Sequence, residues 1–297
     1  MVSGRACEAG PGVALSFGAR APYDVRHARR AGEAMSGATR VGSGEWPDER
    51  ERTGDAMEPT RVEAGQGWTW FVCGWRLFAR KPGVMIAFLL VLFVIAIVLN
   101  LVPLVGNAVF TLITAVLFGG WYYAIDVLDH DGEIGAGMLF AGFRDKAKTG
   151  PLVVLGAFIL LSQIVSGLIA VALMGGVSSI LQLPDGGAQA AHAGMTAPVM
   201  EAGMIVALVL ILTIAAVTVM GLLYAVPLVY FHDARPTHAV ISSFTACMKN
   251  IPALLVFSLV YLGLSLLALI PAGLGFVVLM PVSMCAAYCS YRAIYAE

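Results

Sequence analysis

Over most of its length the chain shows neither the two-residue alternation of a half-buried strand nor the single apolar stripe of a surface helix. It is written in long stretches without a charge. Pro82 to Ile125 holds no Asp, Glu, Lys or Arg over 44 residues, and Asn250 to Tyr291 holds none over 42. A membrane span needs about 20 apolar residues, because a rise of ~1.5 Å per residue must cover ~30 Å of hydrocarbon. The first stretch is broken by Val102-Pro103-Leu104-Val105-Gly106-Asn107, which predicts spans at 83–102 and 107–128. Thr149 to Pro184 is opened by Pro151 and loosened at Gly175-Gly176, and it predicts a span at 151–174. Ala202 to Phe231 gives a fourth at 202–231, with Pro227 near its end. Pro271-Ala272-Gly273-Leu274-Gly275 divides the last stretch into 251–270 and 272–291. The reading is an all-α, six-span membrane protein.

Between the charge-free stretches the period changes to that of amphipathic helices. In Gln66–Lys81 the residues Trp68, Phe71, Val72, Trp75 and Phe78 fall on one helical face, with Arg76 and Arg80 elsewhere. Trp68, Trp70 and Trp75 with Arg76, Arg80 and Lys81 suit the headgroup zone, where an aromatic ring is half wet. They are expected to anchor the first span. Met138, Leu139, Phe140 and Phe143 form a similar face before the third span, and Val240, Ile241, Phe244 and Met248 before the fifth. Two of these segments share a finer pattern. Phe143, Lys148 and Pro151 repeat the spacing of Phe244, Lys249 and Pro252, and His130-Asp131 and His232-Asp233 precede them. The first unit is looser, with Phe78 four residues before Pro82. The expectation is three parallel repeats, each a short interfacial helix followed by a two-span hairpin.

Composition agrees. The chain is 59% hydrophobic and 12% charged, with a mean hydropathy of +0.84. That is too little charge for the polar skin of a soluble domain of this size. Beyond residue 56 the ten basic residues are Arg61, Arg76, Arg80, Lys81, Arg144, Lys146, Lys148, Arg235, Lys249 and Arg292. All fall on one side of the six-span layout, and the connections near 103–107, 184–200 and 271–275 carry none. The positive-inside rule makes that side cytoplasmic, with both termini on it. No clustered basic face suggests nucleic acid. The partners implied are the lipid bilayer and membrane proteins or further copies of the chain.

Residues 1–56 differ in kind. They hold 8 Lys and Arg and 8 Asp and Glu, rich in Gly, Ala and Ser and without apolar period, and read as disordered. Arg29-Arg30 is followed by no apolar core, so neither a secretory nor a twin-arginine signal is present there. The change of composition at Met57 predicts that translation starts at that methionine.

Several of these residues carry a resemblance. Gln66-Gly67-Trp68, Gly74-Trp75-Arg76-Leu77-Phe78, Leu139-Phe140-Ala141-Gly142-Phe143, and His232-Asp233 with Pro236, Ala239, Ser243, Ala246 and Asn250 resemble an uncharacterised family of six-span proteobacterial inner-membrane proteins. The resemblance covers about 57–295, leaves 1–56 outside, and implies location and layout but no activity.

Candidate chemistry is sparse. Asp126, Asp129, His130, Asp131 and Glu133 cluster at the cytoplasmic end of the second span and could ligate a divalent cation. A calcium hand is excluded, because Ile134, Ala136, Met138 and Phe140 occupy its later ligand positions. The plainer expectation is a solvated loop with its acids facing the basic residues of the next helix. His232 and Asp233 could support acid–base chemistry, but no nucleophile is positioned beside them; the plainer expectation is a helix end followed by a cap at Thr237. Gln163 and Ser166 share a face within the third span, where interhelical hydrogen bonding explains them and a polar pathway is the sharper alternative. Cys285 and Cys289, four apart, are expected as small packing residues; the five cysteines suggest neither a disulfide framework nor a zinc site. No cofactor is implied.

Three function classes follow. The leading one is a non-enzymatic inner-membrane protein that organises partners or lipids at the cytoplasmic face. The second is a small-solute permease or channel, resting on the repeat and on Gln163 and Ser166. The third is a membrane enzyme acting on lipid phosphates, resting on the acidic cluster. The expected start site is directly testable: intact-mass measurement of the native protein should give a product beginning at Met57, and recovery of residues 1–56 would refute it.

Overall fold

The computed structural model describes residues 58–102, 104–181 and 189–295, with side chains except at 173–203. The 1–56 tail, the start at Met57 and the placement of Pro103 lie outside the described residues, as do the side chains of Gly175, Gly176 and Glu201. Among the described residues the charge-free stretches are helical apart from short turns, and no strand occurs. In chain order the elements are α1 (Gln66–Arg80), α2 (Pro82–Asn100), α3 (Val105–Asp129), a 3-10 turn (Ala136–Phe140) running into the single-turn α4 (Ala141–Arg144), α5 (Lys146–Leu181), α6 (Gln189–Leu222), α7 (Ala225–His232), α8 (Pro236–Lys249), α9 (Ile251–Leu269) and α10 (Phe276–Tyr295). Six stretches are long and apolar enough to cross a membrane: Pro82–Asn100, Val105–Asp129, Lys146–Ala172, Met204–His232, Ile251–Leu269 and Phe276–Tyr295.

The differences from expectation have local causes. Pro82, Pro236 and Pro252 stand in the first turn of their helices, where a missing N–H costs nothing. Pro151 does not open its helix; α5 begins at Lys146. Helix α6 begins at Gln189, within the stretch read as a connection up to residue 200, because Gln, Ala, Met and Glu favour helix even where the sequence is not apolar enough to span. Thr237 caps nothing: Arg235, in extended backbone, is the N-cap of α8 and Pro236 follows it. The fourth span is two helices. Pro227 cannot continue the ladder, and the break at Leu223-Tyr224 is stitched from outside. The Tyr224 N–H donates to Ser243 Oγ at 3.0 Å, and that hydroxyl donates to the Met220 carbonyl at 2.7 Å.

The spans sort into an inner and an outer set. In α3 and α10 the spanning stretch is 56% and 61% buried, against 17%, 17%, 17% and 11% in α2, α5, the fourth span and α9. The fourth span is inner only at its end, where Ala225 to Tyr230 of α7 are all buried. Outer helices are apolar all round because their free surface must suit lipid. The inner ones carry Trp121, Tyr122, Tyr224, Tyr288 and Ser290, all buried.

The short helices close the arrangement by packing on spans that are not their own. Helix α1 lies on α10, where a Cβ on Gly74 would come within 2.6 Å of the Ala286 backbone nitrogen. The 3-10 turn and α4 lie on α3, where a Cβ on Gly142 would meet the Val116 carbonyl at 2.6 Å. Helix α8 lies on α6 through Ser243. At each seam the small residue is followed by an outward aromatic: Gly74-Trp75, Gly142-Phe143, Ser243-Phe244, with the aromatics 54%, 40% and 38% exposed. In the first unit the counterpart of Phe143 and Phe244 is therefore Trp75. Phe78, which the spacing suggested, is buried.

This also corrects the face of α1. Its buried residues are Gly67, Trp70, Phe71, Gly74, Leu77 and Phe78, whereas Trp68 and Trp75 are exposed. Trp70, taken as an interfacial anchor, is 2% exposed and packs against Phe257. Helices approach most closely where side chains are smallest, so the two glycines set the packed face and an apolar count that omits glycine misplaces it.

Gly74→Ala should lower the thermal midpoint of the purified protein, at a cost of about 1–3 kcal/mol for overpacking. Gly83, with open space around it, serves as the control. Equal stability of the Gly74→Ala and Gly83→Ala variants would refute the seam.

Candidate functional site

The inner helices end together, and their last carbonyls find donors. A helix terminus leaves its final C=O groups unpaired. The Leu128 carbonyl of α3 accepts from Arg80 Nη1 at 3.0 Å. The Tyr230 carbonyl of α7 accepts from Lys148 Nζ at 2.6 Å, and the same ammonium lies 4.6 Å from the Tyr230 ring centroid. The Ile294 carbonyl of α10 accepts from the backbone N–H and the hydroxyl of Thr60, each at 2.9 Å. Six residues before each carbonyl stands a buried tyrosine: Tyr122, Tyr224 and Tyr288. Two residues before each stand Asp126, Leu228 and Arg292. The three units thus share a register at this end.

The third unit differs in having the N-terminal segment inserted. Asn250, fully buried, accepts from the Val62 N–H at 2.8 Å and donates to the Thr60 carbonyl at 2.9 Å, and Lys249 Nζ reaches the Pro59 carbonyl at 3.4 Å. Nothing in the spacing of Asn250 announced this, because its partners lie nearly two hundred residues away.

The acidic residues after the second span divide between two basic ones. Asp126 Oδ1 accepts from the Tyr288 hydroxyl at 2.7 Å, and Arg292 Nη1 lies 3.9 Å from Asp126 and 3.8 Å from Asp129. His130 Nδ1 is 2.9 Å from the Asp126 carbonyl oxygen and 3.7 Å from its carboxylate. Asp131 accepts from Arg80 at 3.0 Å, and Glu133 is exposed. The expected partners, the basic residues of the following helix, are not the ones used. Arg292 comes from the other end of the sequence, and only the packing of α3 on α10 brings it there. Among the described residues no three His, Cys, Asp or Glu side chains gather in a group that could hold a metal ion. These contacts tie α1, α3 and α10 together; at partly exposed positions each ion pair contributes roughly 0–1 kcal/mol.

The His-Asp pairs end helices. His130 is the C-cap of α3, His232 is the last residue of α7, and Asp131 and Asp233 both take the left-handed conformation, with φ of 60° and 52°. Asp tolerates that region better than most residues, which accounts for its recurrence. His232 sets its ring edge on Tyr291, 6.4 Å between centroids. Gln163 is not joined to Ser166; its Oε1 accepts from the Thr111 hydroxyl of α3 at 3.4 Å, a bond between two spans, and Ser166 is half-buried. Trp68, Trp75, Arg76, Arg80 and Lys81 are exposed at or just beyond α1.

The cysteines need a correction. Cys289 is not a packing residue but is bonded to Cys73 of α1, with an S–S length of 2.05 Å and the Cα atoms 6.3 Å apart. The partners are 216 residues apart and meet only when the first short helix closes on the last span, so local spacing could not reveal them. Cys247 and Cys285 are free and buried. Burial pushes the Cys247 thiol up to about 12, which keeps it protonated and unreactive.

Comparison with known proteins agrees with an inner-membrane location. Over 255 residues, which are 80% of this chain and 93% of the relative, the sequence is 27% identical to a probable inner membrane protein of Burkholderia thailandensis. No solved structure matches the chain. The profile of a family described as protein of unknown function, DUF975, matches residues 79–297, the whole of the six-span region. The chain belongs to the DUF975 family.

Proposed function

We propose that the protein is a non-catalytic inner-membrane protein whose three short helices form a collar in the headgroup zone of the cytoplasmic leaflet and organise lipids there. The observation that carries the reading is the thrice-repeated seam, a small residue docked on an inner span with an aromatic directed outward beside it. Trp75, Phe143 and Phe244 occupy that position, and Trp68, Phe140, Ile241 and Met248 add exposed apolar surface on the same short elements. Aromatic side chains with Arg76, Arg80, Lys81 and Arg144 close by suit the boundary between acyl chains and anionic headgroups. The basic residues support a cytoplasmic position for this end, and with it for both termini. The acidic cluster supports the same reading as a fastener of α3 to α10. Its aspartates are engaged by Tyr288, Arg292 and Arg80 and stand in no array around an open site.

Purified protein in vesicles should pass no solute at a saturable rate. Brominated phosphatidylglycerol should quench its tryptophan fluorescence more strongly than brominated phosphatidylcholine, and this difference should fall by at least half in a Trp68→Phe, Trp75→Phe variant. Saturable flux, or quenching indifferent to the headgroup, would refute the proposal.

As a fastener, Asp126 should behave asymmetrically. Asp126→Asn keeps an acceptor for the Tyr288 hydroxyl and should cost less than about 1 kcal/mol. Asp126→Ala leaves that hydroxyl without its acceptor and should cost about 1–3 kcal/mol. Thermal unfolding in detergent reads the difference, and equal losses would count against the assignment.

A further inference from the structure

The three seams are not closed in the same way. Those of α4 on α3 and α8 on α6 join elements close in sequence and are held by packing and hydrogen bonds. The seam of α1 on α10 joins the first helix to the last, and it alone among the described residues carries a covalent bond, Cys73–Cys289. It also has the largest loop to close, and closure entropy grows with loop length, so this seam is the one that gains most from a cross-link. Tyr288 and Arg292 flank Cys289 on α10 and contact Asp126, which puts the pair at the end that carries the basic residues. On the orientation proposed above, that end faces the cytoplasm, where thiol-based reductants keep exposed or accessible pairs reduced. A pair built to bond, in a compartment that opposes bonding, responds to oxidation.

We infer that Cys73 and Cys289 form a reversible redox site, dithiol at rest and bonded when low-molecular-weight disulfides accumulate on the cytoplasmic side, and that the bond locks the first helix onto the last span. The chemistry is thiol–disulfide exchange. Cys73, the more exposed of the pair, attacks a small disulfide RSSR as thiolate, forming a mixed disulfide and releasing one RS⁻. The Cys289 thiolate then attacks Cys73 Sγ and releases the second RS⁻. The two protein thiols together give up two protons and two electrons, and RSSR becomes two RSH. Cys247 and Cys285, both buried, take no part.

The inference rests on the proposed orientation, so the test separates the two. The full chain is expressed in a bacterium, cells are quenched in acid, and all thiols are counted on the denatured protein with a maleimide–polyethylene glycol. Resting cells should show Cys73 and Cys289 both labelled. Glutathione disulfide, which does not cross the membrane, should remove two labels in inverted inner-membrane vesicles and none in intact spheroplasts, and dithiothreitol should restore them. Cys289→Ser should lose one label, with the small thiol trapped on Cys73, Cys73→Ser should lose none, and a Cys247→Ser, Cys285→Ser variant should keep the two-label shift. Loss of two labels in spheroplasts but not in inverted vesicles would place the pair outside and overturn the inference through its orientation. A pair already bonded in resting cells, or one that glutathione disulfide leaves reduced in inverted vesicles and in detergent alike, would overturn the redox site itself.

Discussion

The fold is organised by the terminal carbonyls of its inner helices. A helix that crosses a membrane satisfies its own backbone except at its termini, and at this end the termini are crowded against other helices instead of opening freely to water. Leu128, Tyr230 and Ile294 each present a carbonyl there, met by Arg80 at the end of α1, Lys148 in the first turn of α5 and Thr60 of the N-terminal segment. Delivering Arg80 and Lys148 to those carbonyls fixes where α1 ends and where α5 begins. In the third unit Lys249 is turned to the Pro59 carbonyl, and Thr60 is held by Asn250 where it can reach Ile294. The N-terminal segment therefore stands in for a side chain that the other two units supply themselves.

What the sequence made legible follows from which signals are local. Span positions agree with the structure to within a few residues at most ends, because a 20-residue apolar run has one physical solution in a bilayer. The Phe-Lys-Pro spacing is a local signal too, and it marks the stretches that form α4–α5 and α8–α9. It failed in unit one because Gly74-Trp75 stands one residue nearer to its proline than Gly142-Phe143 and Ser243-Phe244 do to theirs, and because the packed face of α1 is marked by glycines. Trp70 was misplaced as a consequence. The contacts that were not legible all join distant parts of the chain: Cys73 with Cys289, Asn250 with residues 60–62, Arg292 with Asp126 and Asp129. Each residue had a bland local explanation, and only the closing of the arrangement gives it another.

Near-equivalence among three units carries a hazard of its own. Short helices with a small residue and an aromatic at matching positions could dock on one another's spans, and similar seams do little to distinguish right from wrong partners. Specificity has to come from where the units differ. The differences are concentrated at the boundary of α3, α10 and α1. At the register two residues before the carbonyl, α7 has Leu228, whereas α3 has Asp126 and α10 has Arg292, opposite charges that face each other only in the observed order. Tyr288 adds a hydrogen bond to Asp126 that neither Tyr122 nor Tyr224 can form with Leu228 in that role. On α6 the break above Pro227 accepts a serine hydroxyl, and Ser243 of α8 supplies it where the other seams have glycine. The polar residues that first drew attention as candidate chemistry thus mark the places where a threefold pattern is broken. Asp126 and Arg292 contribute little energy as a partly exposed ion pair, but a modest preference suffices to choose between arrangements that are otherwise alike.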